Sequence, residues 1–170
     1  DSFSEKGIEC LNIAVKYLQG DELFLCKELL AVIYYDGLLT PKDEERAYHL
    51  YTELVNIADF HYIHNNLGVI LKNGGQSIPK NIPLAIEYFE TAINQYGDIF
   101  ALLNLSRMYF YGDGVPKNID KATKLLSHLD SSRFNLNDIL DFFVWHPIQL
   151  VQISNETLND CDMTHIVPES

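Results

Sequence analysis

One three-residue step, proline and lysine followed by an acid or its amide, recurs three times in this chain. It stands at Pro41-Lys42-Asp43, Pro79-Lys80-Asn81 and Pro116-Lys117-Asn118, with spacings of 38 and 37 residues. Four residues after each Asx comes an alanine: Ala47, Ala85 and Ala122. Ahead of each proline lies a glycine (Gly37, Gly74, Gly112), and seven residues before each glycine a leucine (Leu30, Leu67, Leu105). The middle copy carries one extra residue between Gly74 and Pro79, where a loop can absorb it. A period of this length is the mark of stacked supersecondary units, none of which can bury its apolar face alone.

Each recurring residue has a physical task. The glycine falls just past an apolar helical run, where the C′ position often takes a positive φ that a Cβ would oppose. Proline cannot continue a helix and biases the preceding residue toward extended backbone. Asp43, Asn81 and Asn118 then fit N-cap positions, accepting a hydrogen bond from an orphan amide of the next helix. Glu44, Glu45 and Asp120 fall in first turns, where negative charge suits the helix dipole. Pro83 also falls in a first turn, where a missing N–H is tolerated. The alanines let one helix approach its neighbour closely. The positions that follow them are apolar: Leu50, Tyr51 and Leu54; Tyr88, Phe89 and Ala92; Leu125, Leu126 and Leu129. That spacing gives one buried face per helix.

The same register extends to the N-terminus. Ala47 precedes Leu67 by 20 residues, Ala85 precedes Leu105 by 20, and Cys10 precedes Leu30 by 20. Cys10, Ile13, Ala14 and Tyr17 therefore occupy the buried slots of a second helix whose first-helix mate is missing, as in a piece of something longer. The pattern predicts helices near 5–18, 23–36, 43–56, 60–73, 81–96, 98–111 and 118–129. After Ser131 it breaks. Asn135 or Asn137 can cap a helix near 136–145, which His146-Pro147 ends, and such a helix would cover the last repeat. The expected organisation is a solenoid over 1–132 (units about 1–20, 21–57, 58–97 and 98–131), a capping helix within 133–153, and an acidic tail over 154–170.

The string Ala101-x3-Leu105-Ser106-x2-Tyr109-x2-Gly112-x-Gly114-Val115-x2-Asn118-x2-Lys121-Ala122 resembles a Sel1-like repeat, a relative of the tetratricopeptide repeat. The second copy keeps Leu67-Gly68 and Gly74 but has Leu71 for the tyrosine and Gly74-Gly75-Gln76-Ser77 for Gly-x-Gly-Val. The first keeps Tyr34, Gly37 and Asp43 but reads Leu38-Leu39-Thr40. The resemblance implies an all-α, antiparallel helix-pair solenoid of about three and a half repeats. It also implies an adaptor or scaffold role, as in endoplasmic-reticulum quality control, signalling or cell-wall regulation, and a concave face lined by the first helix of each pair. On those helices, Tyr35, Asn65, Asn66, Lys72, Asn104, Arg107 and Tyr111 are expected to point away from the core. Tyrosine, arginine and asparagine suit peptide recognition, offering contact area and adaptable hydrogen bonds.

Charge and residue chemistry exclude several classes. Twelve basic against 24 acidic residues leave a formal charge of −12, the wrong sign for phosphate backbones or anionic lipid. No phosphate loop, nucleophile elbow or zinc-protease motif is present, so neither a catalytic residue nor a cofactor is assigned. His61 and His64 stand at i, i+3 but lack a third metal ligand, and first-turn packing accounts for them. His49, His128 and His146 are scattered. Cys10, Cys26 and Cys161 have neither metal nor redox spacing. Cys10 and Cys26 are expected to pack as small hydrophobes, which favours a reducing, cytoplasmic compartment. Asn155-Glu156-Thr157 would be a glycosylation acceptor in a secreted chain; Asn104-Leu105-Ser106 matches by chance within a helix. The function expected is a non-catalytic adaptor that binds a peptide or helix of another protein, the alternative being an accessory domain of a longer enzyme.

Overall fold

The computed structural model describes residues 2–57 and 62–129. Among them every regular element is an α-helix: α1 (Ser2–Tyr17), α2 (Gly20–Asp36), α3 (Glu44–Leu54), α4 (Tyr62–Asn73), α5 (Ile82–Tyr96), α6 (Ile99–Tyr111) and α7 (Ile119–Leu126). The capping helix expected within 133–153, the tail over 154–170, His61, His146, Asn155 and Cys161 lie outside the described residues.

The recurring residues do what their positions dictate. Asp43, Asn81 and Asn118 cap α3, α5 and α7, each side chain accepting from the amide three residues on, at Arg46, Leu84 and Lys121. Gly37, Gly74 and Gly112 adopt φ of 68°, 69° and 78°. At Gly112 a Cβ would also meet the Lys117 backbone nitrogen at 3.1 Å. The three turns share one backbone frame. Each glycine N–H donates four residues back, to Ile33, Ile70 and Met108. Each Asx N–H closes onto the preceding helix, at Tyr34, Leu71 and Tyr109, over 2.7–2.8 Å. The extra residue of the second turn is taken up where Gly75 N–H donates to Ile78 O, and Ile78 is buried beneath. One further cap carries no recurring signature: Gly97 ends α5 at φ 64°, and Asp98 caps α6 by accepting from Ala101 N–H.

The helices pack in pairs, α2 on α3, α4 on α5 and α6 on α7. Successive pairs meet through α3 and α4 and through α5 and α6, and α4 also touches α6. Where the two helices of a pair come closest, side chains are small. Ala47, Ala85 and Ala122 are fully buried. Gly68 lies so near Phe89 that a Cβ would sit 2.6 Å from the ring. Ala31 and Ser106, at the positions equivalent to Gly68, are likewise fully buried. In the first and third pairs a tyrosine near the end of the first helix meets a cation at the start of the second. Arg46 Nη1 donates to the Tyr34 hydroxyl at 3.2 Å, and Lys121 Nζ to that of Tyr109 at 2.6 Å, with each cation over its ring. The second pair has Leu71 and Leu84 there, an apolar pair in place of a cation–π one.

The N-terminal unit departs from expectation. α1 packs on α2, yet Cys10 is exposed, Ile13 is 47% exposed and Tyr17 81%. Cys26 is only half-buried. Cys10 thus does not serve as a small core hydrophobe. The equivalent Ala47, Ala85 and Ala122 face the first helix of their own pair, whereas among the described residues α1 has a helix on one side only.

Candidate functional site

The first helices of the later pairs are enclosed nearly all round. Nine consecutive residues of α4, Ile63–Leu71, are buried, and eight of the thirteen in α6. Each is covered by its own second helix, by the second helix of the pair before, and by the other. The expectation that Tyr35, Asn65, Asn66, Asn104 and Arg107 point away from the core therefore requires correction. A single-face reading leaves such positions outside, but flanking pairs cover what one partner helix would leave open. Tyr35 is 1% exposed and belongs to the apolar core.

The buried polar residues form a continuous line. Asn104 Nδ2 donates to Asn65 Oδ1 at 3.0 Å, Asn65 Nδ2 to Asn66 Oδ1 at 3.3 Å, and Asn66 Nδ2 to the Tyr51 hydroxyl at 3.2 Å. The Tyr51 ring then meets Tyr35 edge-on at 6.0 Å. Four helices, α6, α4, α3 and α2, are linked by this line. Desolvation pushes the phenols of Tyr35 and Tyr51 well above the usual range, so both stay protonated, though the Asn66 hydrogen bond offsets part of the shift at Tyr51. Buried amides satisfied in this way fix the relative register of the helices, because slippage would leave each unpaired at a cost of about 1–3 kcal/mol.

Where this line reaches the surface, a shallow cleft opens, lined by Lys72, Asn104, Arg107, Met108, Tyr111 and Asp113. Four of the seven residues singled out in the sequence, Lys72, Asn104, Arg107 and Tyr111, thus come together, while Tyr35, Asn65 and Asn66 lie beneath or away from it. Lys72, at the end of α4, bridges to Asp113, in the turn after α6, at 2.5 Å. That hydrogen bond holds Asp113 below the usual carboxylate range; partial burial opposes it, and the charges of Lys72, Lys80 and Arg107 reinforce it. Arg107 is only 8% exposed, and burial draws its guanidinium below its ordinary value, against the pull of Tyr111 and Asp113. Tyr111 is 42% exposed. It is therefore the residue whose change probes the surface without disturbing the packing.

Asp113 and Met108 belong to the cleft, although their places in the sequence suggest only turn and core roles. The signal that marks the cleft is a break in the repeat. Arg107 stands where the earlier pairs have Val32 and Val69, and Asp113 where they have Leu38 and Gly75. His64 is a packing residue, between the rings of Tyr88 and Tyr96 at 6.0 and 5.3 Å. Among the described residues no group of His, Cys, Asp and Glu could hold a metal ion, and no helix is long and apolar enough to cross a membrane.

A model of the Sel1 repeat matches residues 27–54, 64–96 and 99–127, one match for each helix pair. Over 60 residues the chain is 42% identical to cytochrome c oxidase assembly factor 7 of Xenopus tropicalis and 40% identical to assembly factor 7A of Xenopus laevis. Those matches take in 35% of this chain and 26% of each relative, so the chain spans about a quarter of their length. Among solved structures it is similar to a Sel1 repeat protein from Oxalobacter formigenes, with a TM-score of 0.53 and 22% identity, covering 80% of this chain and 55% of that one. A protective antigen of uropathogenic Escherichia coli with the same repeat fold gives a TM-score of 0.55 and 21% identity, covering 71% of this chain and 24% of the antigen.

Proposed function

Since the chain belongs to the Sel1 repeat family, we propose that it is a non-catalytic adaptor holding a peptide or helix of a partner protein in the cleft between α4 and α6. Sel1 repeats are protein-interaction modules, and in this one the cleft is the place of contact. The observation that carries this assignment is the break in the repeat. Residues needed only to stack the helix pairs recur from copy to copy. Lys72, Arg107, Tyr111 and Asp113 gather at one cleft without a common signature in the other copies.

The physics of the fold favours this use. The asparagine line and the enclosed helices fix the cleft before a partner arrives, so less conformational entropy is lost on binding. Tyr111 offers a rigid aromatic face, and the surrounding amides and cations offer directional contacts. The relatives in Xenopus bear the name of assembly factors, which accords with a role in bringing proteins together.

The test is capture by cross-linking from a native extract, with Tyr111→Ala and an outer-surface control, Glu90→Ala, run beside the wild type. A partner held by the wild type and the control but lost from Tyr111→Ala is the expected result. Undiminished capture by Tyr111→Ala would overturn the assignment of the cleft.

A further inference from the structure

In the α1–α2 hairpin four large apolar side chains, Ile13, Tyr17, Leu25 and Leu29, are exposed. A cluster of that kind marks a contact surface more often than chance exposure does. The repeat shows what happens at the same positions one unit on. α1 packs on α2 as α3 packs on α4, and the register carries Tyr17 onto Leu54, and Leu25 and Leu29 onto Tyr62 and Asn66. Leu54 is fully buried. The Tyr62 ring lies edge-on to Tyr51 at 6.5 Å, and its hydroxyl donates to Glu28 of α2. Asn66 donates to the Tyr51 hydroxyl and is 3% exposed, whereas Leu29 is 45% exposed. That later hairpin is covered by a preceding helix, α2. Among the described residues, the α1–α2 hairpin has no counterpart of that cover.

The open face also differs from its later counterparts in size. Ala14 stands where the other second helices carry Tyr51, Phe89 and Leu126, all buried. Opposite Phe89 the first helix has only Gly68, where a Cβ would sit 2.6 Å from the ring. A helix built like α4 would therefore leave a hole above Ala14. A side chain of the size to fill it stands on the same face of α1, one turn away: Tyr17. We infer that this face is a self-complementary interface that takes a second copy of the chain. About a two-fold axis, Tyr17 of each copy enters the hole above Ala14 of the other, and Ile13, Leu25 and Leu29 of both close around the pair. Two such hairpins make a four-helix bundle. Ile8, Leu11 and Val15 already hold α1 against the core, so each hairpin is formed before the copies meet. The surface lies apart from the cleft of α4 and α6, and the inference does not rest on the adaptor reading.

The test is analytical ultracentrifugation of the full chain under reducing conditions, from about 1 to 500 μM. The mass is expected to move from one copy toward two, and more readily as salt is raised, because each copy carries −12 and salt screens the repulsion. Tyr17→Ala should weaken the association at least about tenfold, and Leu29→Glu should abolish it, with melting curves close to the wild type. Ala14→Tyr with Tyr17→Ala exchanges knob and hole, and should recover association that Tyr17→Ala alone has lost. The outer-surface control Glu90→Ala should associate as the wild type does. A single-copy mass throughout the range overturns the inference, as does a dimer indifferent to both Tyr17→Ala and Leu29→Glu. If the chain stays single while a peptide of residues 62–73 shifts nitrogen-15 amide signals at 13–17 and 25–29, the face belongs to a helix of the α4 kind and not to a second copy.

Discussion

The inner helices α4 and α6 and the outer helices α5 and α7 are built to different rules, although they alternate along one chain. α5 and α7 each bury a narrow stripe: Ala85, Phe89 and Ala92 in one, Ala122 and Leu126 in the other. α4 buries nine of its twelve residues and α6 eight of its thirteen, including amides, a histidine and a guanidinium. A helix with one covered side needs only apolar residues at helical spacing. A helix covered on several sides buries polar groups as well, and the Asn104 and Asn66 amides find partners on other helices, α4 and α3. The outer helices therefore provide stability by area, whereas the inner ones also fix alignment.

That contrast can be broken most directly at Gly68. Gly68→Val places methyl groups into the Phe89 ring and is expected to cost about 3 kcal/mol or more in urea unfolding. Glu87→Ala, on the exposed side of α5, should stay within about 0.5 kcal/mol. A comparable loss in both would mean that α4 is no more constrained than α5. Next in size, Asn65→Leu removes an acceptor from Asn104 and a donor to Asn66, and a loss of about 2 kcal/mol is expected. Asn118→Ala, at the start of an outer helix, should cost about 1 kcal/mol through its cap alone.

A smaller, pH-dependent effect sharpens the comparison. Burial lowers the His64 imidazole below its ordinary value, favouring the neutral ring in the folded state. Its contribution is present above the unfolded-state value of about 6.5 and drains away as pH falls below it. Urea midpoints should decline more steeply in the wild type than in His64→Gln over that acidic range; parallel declines would locate the titration elsewhere. The least effect is expected of Lys117→Ala. Its ammonium lies 6.0 Å from the Phe110 ring at the surface, and a change within about 0.5 kcal/mol in thermal unfolding is the outcome anticipated.

The same contrast explains what a sequence of this kind discloses. The caps at Asp43, Asn81 and Asn118, the left-handed glycines and the stripes of the outer helices follow local rules, and local rules are visible in a sequence. The environment of Asn65 or Arg107 depends on which helices arrive from other pairs, which no helical period reveals. Helical spacing alone therefore sets Tyr35, Asn65 and Asn66 on an outward face, although they are buried, and it marks only four residues of the cleft. Asp113 escapes notice because a residue between two turn glycines reads as a turn residue. Its pairing with Lys72 spans 41 positions. The Gly97–Asp98 junction is equally hard to see: Gly20-Asp21 repeats the dipeptide where α1 gives way to α2, but the segment between α3 and α4 contains no glycine.

The three turns carry a consequence of their own. One frame of hydrogen bonds, pinned at a glycine and at the capping Asx, accommodates Leu-Leu-Thr, Gly-Gln-Ser-Ile and Asp-Gly-Val between the glycine and the common Pro-Lys step. The segment between them behaves as an exchangeable cassette, whose contents and even length can change while the helices on either side stay in place. An array with such sockets can acquire a new specificity one turn at a time, each trial leaving the architecture intact.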